Sequence, residues 1–148
     1  MKIVIGADHA GFELKENLKA FLVARGDEVE DVGTYSAESV DYPDYGKKVA
    51  EGVSSGAFER GMIVCGSGIG MAITANKLPG VRAAVANDEE SARLGRLHND
   101  VNVLSLGARL ISSETAGKIA TIWLTTDFEG GRHQRRLDKI TDMENKNC

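Results

Sequence analysis

Residues 62–70 read Met-Ile-Val-Cys-Gly-Ser-Gly-Ile-Gly. The apolar run Met62–Val64 has the length and composition of a buried strand, and Gly66 ends it before a stretch, Met71–Lys77, that favours a helix. Apolar runs of strand length recur four more times, with longer stretches of helical spacing between them. This alternation predicts a parallel sheet with helices on both of its faces.

The other elements are predicted from the same patterns. Strands are expected at residues 3–5, 29–32, 81–86 and 101–106. Helices are expected along the apolar stripe Leu14, Leu18, Phe21 and Leu22 that stops at Gly26, from just after Pro43, over residues 88–97, from Ser112 or Ser113 through Trp123, and over about 132–145, where Leu137 and Ile140 are the expected anchors. We therefore expect one α/β domain over residues 1–148, a doubly wound sandwich around a five-stranded parallel sheet.

Composition argues against several classes of protein. The 148 residues carry 18 Lys and Arg against 22 Asp and Glu, a net charge of −4 that disfavours nucleic acid or an anionic membrane as the main partner. The longest uncharged stretch, Gly61–Asn76, holds four glycines and is too short to span a bilayer. Charges near the N-terminus leave no signal-like apolar run, and Cys65 and Cys148 make no disulfide framework. We expect a cytoplasmic protein.

Cys65 and the glycines after it form the most informative loop. Ligands of open parallel sheets bind outside the carboxyl ends of the strands, and Cys65 ends the third strand there. The helix N-terminus that follows favours the thiolate form, which suits proton abstraction or nucleophilic attack. Gly66, Gly68 and Gly70 let the backbone approach a ligand and aim N–H groups at it. A small buried residue that ends a strand explains Cys65 about equally well.

The same glycine pattern is a weak match to a dinucleotide-binding fingerprint. Asp88 or Glu89 would supply the acidic residue expected about 20 positions later. That fingerprint normally follows the first strand, however, and this loop follows the third. A P-loop is excluded, because no Gly-Lys-Ser/Thr sequence ends the run.

Two further polar pairs lie at strand ends. Asp8 and His9 follow the first strand, where a carboxylate and an imidazole suit an anion or a sugar hydroxyl. A helix cap and a surface residue are the simpler interpretation of that pair alone. His98 and Asn99 lie at the entry to the fifth strand, at the opposite edge of the sheet. If His98 works with Cys65, we expect a second subunit to bring it across an interface.

Arg132 and Arg136 are spaced four residues apart and share one face of the last predicted helix. Two guanidinium groups suit a phosphate dianion, with Arg109 as a third contributor, although a solvated basic face is the usual explanation of such a run. Together with the hydroxyl of Ser67, these side chains point to proton transfer on a phosphorylated polyol. No metal site is expected, because no histidines or cysteines have spacing of the CxxC or HExxH kind.

Taken in order, these motifs resemble those of the family that contains type B ribose-5-phosphate isomerases and the galactose-6-phosphate isomerase subunits. The matching motifs lie at residues 6–11, 40–45, 65–70, 75–77, 98–100 and 129–133, and the resemblance runs from Met1 to about Glu144. It implies a Rossmann-like three-layer α/β/α sandwich. It also implies an aldose–ketose isomerase of the pentose phosphate pathway, without metal or cofactor, that interconverts D-ribose 5-phosphate and D-ribulose 5-phosphate through a cis-enediolate.

The resemblance assigns the proton-transfer roles to one loop. Cys65 matches the base that moves a proton between C1 and C2 of the sugar. Ser67 matches the hydroxyl that assists at O1 and O2. The N–H groups of Gly66, Gly68 and Gly70 match the site that stabilises the enediolate.

The resemblance assigns the other roles to residues from several parts of the chain. His98 matches the residue that opens the furanose ring, with Asp8 assisting. The implied substrate contacts are Asn99 for a sugar hydroxyl and, for the phosphate, His9, Arg132, Arg136 and Arg109. The family is dimeric or tetrameric with shared active sites, so the helix at about 132–145 is expected to pack on a partner. A six-carbon sugar phosphate isomerase, such as a galactose-6-phosphate isomerase subunit, and a non-catalytic phosphate- or nucleotide-binding module stay open as alternatives.

Overall fold

Five strands form one all-parallel sheet in the computed structural model, which describes residues 1–147. They are β1 (Lys2–Ala7), β2 (Glu28–Asp31), β3 (Arg60–Cys65), β4 (Ala83–Val85) and β5 (Val103–Gly107). Their order across the sheet is β2-β1-β3-β5-β4, so β3 lies at the centre. Cys148 lies outside the described residues.

Residues 1–147 form six helices, and five of them cover the sheet. The six helices are α1 (Phe12–Arg25), α2 (Tyr42–Ser54), α3 (Ile69–Ala75), α4 (Glu89–Asn99), α5 (Ser113–Thr125) and α6 (Arg132–Lys146). Helices α1, α4 and α5 pack on one face, where Leu18, Ala92 and Ile119 share a buried cluster. Helices α2 and α3 pack on the other face through Val49 and Met71. This arrangement confirms the predicted Rossmann-like three-layer sandwich. Among the helices of residues 1–147, none has the length and hydrophobicity of a membrane-spanning segment.

Three predicted helix ends are confirmed by their capping geometry. Gly26 follows α1 in the left-handed region, with φ of 99°, which a residue without a side chain adopts readily. The side chain of Asp88 accepts the N–H of Ser91 at the start of α4. In the same way, the side chain of Ser112 accepts the N–H of Thr115 at the start of α5. These short polar side chains satisfy N–H groups that have no partner inside the helix.

Strand β4 is shorter than the predicted 81–86. The amide oxygen of Asn102 accepts the N–H of Arg82 at 2.8 Å. The side chain of Asn76 pairs with both the N–H and the carbonyl of Ala83, each at 2.8 Å. These side-chain amides take the place of backbone partners, so the edge strand does not extend to its predicted beginning.

Most other boundaries also differ from the prediction by one or two residues, and α2, α3 and β2 are examples. Helix α2 begins at Tyr42, because Pro43 fits the first turn of a helix, where its missing N–H is not needed. Helix α3 begins at Ile69, directly after the glycine that caps it. Strand β2 ends one residue before Val32, whose N–H still donates to the carbonyl of Ile5 at 2.9 Å.

Two predicted core positions are wrong. Phe21 is 37% exposed and lies at the margin of the α1 stripe, beside Gly117 of α5. Ile140 is 50% exposed, whereas its expected partner Leu137 is buried. Helix α6 contacts α4 near its start rather than lying on the sheet, so His133 and Leu137 are its only buried side chains within residues 132–146.

Candidate active site

Cys65 ends β3 at the carboxyl edge of the sheet and is only 4% exposed. Its Sγ accepts the N–H of Gly68 at 3.2 Å. Gly68 has φ of 82°, and a Cβ at this position would lie 3.0 Å from the carbonyl carbon of Leu106. Both the left-handed backbone and the close approach to Leu106 therefore require glycine. The loop therefore aims a hydrogen-bond donor at the sulfur.

Side chains from the neighbouring strands fix this loop. Ser105, on β5, donates its hydroxyl to the carbonyl of Gly68 at 2.5 Å. Asn87, just after β4, accepts the N–H of Gly107 at 2.9 Å. The sequence analysis did not single out either residue. Two signals in the sequence mark these residues. Ser105 is a polar residue inside a buried strand, and Asn87 lies in a predicted loop at the carboxyl edge.

Ser67 and Arg109 flank the glycine loop. The Oγ of Ser67 accepts the N–H of Ile69 at 3.2 Å, which leaves the hydroxyl proton available to another acceptor. The N–H of Arg109 donates to the carbonyl of Gly66 at 3.0 Å. A Cβ at Gly66 would lie 3.0 Å from Nη1 of Arg109, so the guanidinium group rests against the loop. A positive charge is therefore held beside Cys65.

Tyr42 covers the end of the same loop. A Cβ at Gly70 would lie 2.6 Å from Cζ of Tyr42, so the aromatic ring is packed against the first turn of α3. Tyr42 is 42% exposed and so remains within reach of a ligand. The sequence analysis included Tyr42 in a matching motif without giving it a role.

Asp8 and His9 lie at the same edge, because the loop after β1 runs directly along β3. The N–H of Asp8 donates to the carbonyl of Val64 at 3.2 Å, and Gly11 passes so close to that carbonyl that a Cβ would lie 2.3 Å from its oxygen. The buried carboxylate of Asp8 accepts the N–H of Gly11, which is the N-cap of α1. His9 Nδ1 accepts the N–H of Val40 at 3.1 Å, so the neutral ring carries its proton on Nε2.

The remaining predicted site residues form a second cluster at the amino edge of the sheet. His98 and Asn99 end α4, and Asp100 follows in the left-handed region with φ of 46°. Arg132 and Arg136 lie exposed in the first turns of α6, which the N–H of Glu129 ties to α4 by donating to the carbonyl of Leu97 at 3.1 Å. The two clusters lie at opposite ends of β5, roughly 16 Å apart for a strand of 5 residues at about 3.3 Å per residue.

This separation divides the predicted phosphate ligands. Arg109 and His9 lie beside Cys65, whereas Arg132 and Arg136 lie beside His98. Arg109 is therefore separated from the arginine pair of its own chain, and its role as a third phosphate ligand stays a prediction. The cause is topological, because Arg109 follows the carboxyl end of β5 and α6 runs along the amino edge.

His98 stacks on His133, a contact that the sequence analysis did not predict. The ring centroids are 4.4 Å apart and the planes lie 15° from parallel. His133 is 5% exposed, and its Nε2 has no hydrogen-bond partner within residues 1–147, with Glu129 Oε2 at 3.8 Å. Burial and the neighbouring His98 lower the pKa of His133, Arg132 and Arg136 lower it further, and Glu129 opposes them.

His98, Glu129 and His133 also bring potential metal-ligand atoms within 4.8 Å of one another. Spacing motifs do not detect this group, because it joins the end of α4 to the start of α6. Lone pairs of an imidazole lie in the plane of its ring, and the two rings here are nearly parallel. Their lone pairs therefore do not converge on one point, and the geometry is that of a stack rather than of a chelate.

Known proteins resemble this chain over nearly its whole length. A sequence profile of the Ribose/Galactose Isomerase family matches residues 3–140. A ribose-5-phosphate isomerase B of Escherichia coli is 48% identical over 145 residues, with 98% of this chain and 97% of that protein covered. A D-erythrulose-4-phosphate isomerase of Pectobacterium atrosepticum is 39% identical over 147 residues, with 99% and 97% covered. The solved structure of a Clostridium thermocellum ribose-5-phosphate isomerase B is 51% identical, with a TM-score of 0.99 and 100% of both chains covered.

Proposed function

Because this chain belongs to the Ribose/Galactose Isomerase family, we propose that it interconverts D-ribose 5-phosphate and D-ribulose 5-phosphate. The chain is a sugar-phosphate aldose–ketose isomerase. The observation that carries the choice of mechanism is the N–H of Gly68, which points at Cys65 Sγ from 3.2 Å. That contact places a hydrogen-bond donor on the sulfur at the carboxyl edge, where ligands of parallel sheets bind.

In the proposed reaction, the Cys65 thiolate removes the proton from C2 of the open-chain aldose. The electron pair moves toward C1 and O1, which gives a cis-enediolate. The hydroxyl of Ser67 passes the O2 proton to O1, and Cys65 returns a proton to C1, so the ketose forms with no net change in protons. The N–H of Gly68 first stabilises negative charge on the sulfur. It then stabilises the enediolate, together with the N–H groups of Gly66 and Gly70.

Ring opening and phosphate binding use the other candidate residues. His98 opens the furanose ring with Asp8 assisting, and Asn99 holds a sugar hydroxyl. The phosphate ligands are His9, Arg109, Arg132 and Arg136. Four of these residues lie at the amino edge, far from Cys65 of the same chain. We therefore propose that a second copy of the chain supplies them, in a homodimer or homotetramer.

Helix α6 supports this assembly. Ile140 and Met143 on this helix are 50% and 59% exposed, which is unusual for large apolar side chains on a helix with so few contacts to its own chain. A partner subunit would cover them. The assembly would then consist of one domain per chain, over residues 1–148, with α6 packed on its neighbour.

The test is isomerisation of ribose 5-phosphate by the purified chain in deuterium oxide, with deuterium followed at C2 of ribose 5-phosphate and C1 of ribulose 5-phosphate. Cys65→Ala is expected to bind sugar phosphate but to lose turnover by at least about a hundredfold, as removal of a catalytic base does. Val64→Ala is the matched control, since Val64 is equally buried but belongs to the other face of the sheet. Near-normal turnover by Cys65→Ala would overturn the assignment of the base.

A substrate panel separates the alternative activities. Because a relative is named as a D-erythrulose-4-phosphate isomerase, the panel compares kcat/KM for four-, five- and six-carbon aldose phosphates. The proposal predicts the highest value for ribose 5-phosphate. A preference for a six-carbon phosphate, or activity that requires a second, different chain, would instead identify an isomerase of the galactose 6-phosphate type.

A further inference from the structure

Within residues 1–147, the proposed ring opener, His98, lacks the hydrogen bond that usually orients a working imidazole. A second group normally fixes the ring by binding its other nitrogen. In the part of the chain that the structure describes, the specific contact of the His98 ring is its stack on His133, at 4.4 Å between centroids. The flat face of His133 therefore orients the His98 ring in place of a hydrogen bond, because it limits rotation of that ring.

His133 is itself held firmly. It lies in the first turn of α6, is 5% exposed, and donates its N–H to the carbonyl of Gly130 at 3.1 Å. The bond from the N–H of Glu129 to the carbonyl of Leu97 joins the two helices beside the stack. The His133 ring is therefore a rigid support, because it is buried and these two backbone hydrogen bonds hold the start of α6. His98, by contrast, is only partly buried.

Packing alone does not explain a histidine at position 133. Its Nε2 is buried without a hydrogen-bond partner among residues 1–147, and a buried polar atom without a partner costs free energy that an apolar ring would avoid. Two stacked imidazolium ions would repel each other, so the stack disfavours a positive charge on both rings at once. Burial, the neighbouring His98 and the charges of Arg132 and Arg136 lower the pKa of His133, so its ring presents an uncharged flat face to His98.

We propose that His133 is a positioning residue for ring opening, which holds the His98 ring in its working orientation. The inference rests on the proposed function, since it assumes that His98 opens the ring. In that step the C1–O4 bond breaks, the anomeric O1–H proton is removed and a proton is added to O4. The sugar gains no net proton, so one well-oriented imidazole can serve both transfers.

The test separates ring opening from proton transfer at carbon. Ribulose 5-phosphate cannot close a furanose ring, because its O5 is phosphorylated, so entry of deuterium at its C1 does not require ring chemistry. Erythrose 4-phosphate, whose O4 is phosphorylated, gives a second ring-free readout by turnover. His133→Ala is expected to slow isomerisation of ribose 5-phosphate by at least about tenfold, and to change both ring-free rates by less than about twofold.

His133→Phe restores a flat ring without nitrogens and is expected to recover most of the lost isomerisation. Leu137→Ala is the matched control for loosening of α6, because Leu137 is the other buried side chain of that helix and is not part of the stack. Parallel losses in the ring-dependent and ring-free rates of His133→Ala, no loss at all, or the same selective loss in Leu137→Ala would each overturn the inference. His98→Ala calibrates the test: if it loses no ring-dependent activity, the assignment of His98 in the proposed function fails instead.

Discussion

Lys15 is fully buried on α1, and its Nζ lies 2.5 Å from Asp31 Oδ2 and 2.9 Å from Glu16 Oε1. Asp31 has a side chain only 11% exposed and also accepts the N–H of Gly33 at 2.9 Å. Burial by itself raises the pKa of Asp31, but hydrogen bonds from Lys15, the Gly33 N–H and Lys19 more than offset it and hold that pKa below its ordinary value. The charged carboxylate is thus part of the folded state.

Asp31→Asn would leave the buried ammonium of Lys15 without its main partner. We expect the free energy of unfolding to fall by about 3 kcal/mol at pH 7. Because the folded-state pKa of Asp31 is lowered, its contribution is present above the unfolded value of about 3.9 and is lost as pH falls through the folded-state pKa. The gap between wild type and variant should therefore shrink in urea unfolding below about pH 4.

Glu90→Gln is the control for this ion pair. Glu90 pairs with Arg93 on the surface of α4, with both side chains well exposed, so its loss should change stability little. If Asp31→Asn were no more destabilising than Glu90→Gln, or if its effect were the same at pH 3 and pH 7, the account of the buried pair would be wrong.

For single residues, the sequence predicts the edge of the sheet at which a residue lies when that residue is close to the end of a strand. Cys65, Asp8 and Arg109 each come directly after a parallel strand, so their common edge could be predicted without coordinates. Lys15 could not be predicted as buried, because its partner lies on a different element and a lysine on a helix is normally exposed. The stack of His98 on His133 was missed for the same reason, since it depends on where α6 crosses α4.

Among the elements, α6 carries two of the proposed phosphate ligands, Arg132 and Arg136, on one face. Arg136→Ala is expected to raise KM for ribose 5-phosphate far more than it lowers kcat, because a contact to the unreacting phosphate binds the ground state and the transition state alike. Arg135→Ala is the matched control, since Arg135 is also exposed but does not lie four residues from Arg132. A large loss of kcat at unchanged KM would contradict a phosphate-binding role for Arg136.

Helix α5 contains a glycine that its surroundings do not require. A Cβ at Gly117 would meet only the ring of Phe21, at 3.7 Å, which is an ordinary contact. Since glycine is a poor helix former, Gly117→Ala is expected to raise the free energy of unfolding by about 0.5–1 kcal/mol. Thermal unfolding measures the change. Gly11→Ala provides the opposite case, because its Cβ would collide with the carbonyl of Val64, and it should be strongly destabilising.

The existence and order of the elements could be predicted, but their packing could not. Each strand and helix is encoded in a local pattern, and caps such as Ser112 mark helix starts within one or two residues. Ile140 was expected to anchor α6 because it follows Leu137 at helical spacing. Its exposure depends on the path of α6 along the amino edge, which local periodicity does not specify.

At the scale of the whole molecule, the candidate site is divided between two edges of one sheet. The proton-transfer loop around Cys65 lies at the carboxyl edge, and the cluster around His98 lies at the amino edge. No rearrangement of side chains spans the roughly 16 Å that β5 imposes between them. In the proposed symmetric dimer, the carboxyl edge of each chain would lie against the amino edge of the other, which would complete two sites at once.

Subunit exchange between two inactive variants tests this central claim most directly. Cys65→Ala and His98→Ala are unfolded together, refolded as an equimolar mixture and assayed on ribose 5-phosphate, with each variant refolded alone as the control. If sites are shared, half of the dimers are hybrids with one intact site of two, so the mixture should regain about a quarter of wild-type activity. If each site lies within one chain, every site keeps one defect, and a mixture no more active than the variants alone would contradict the account.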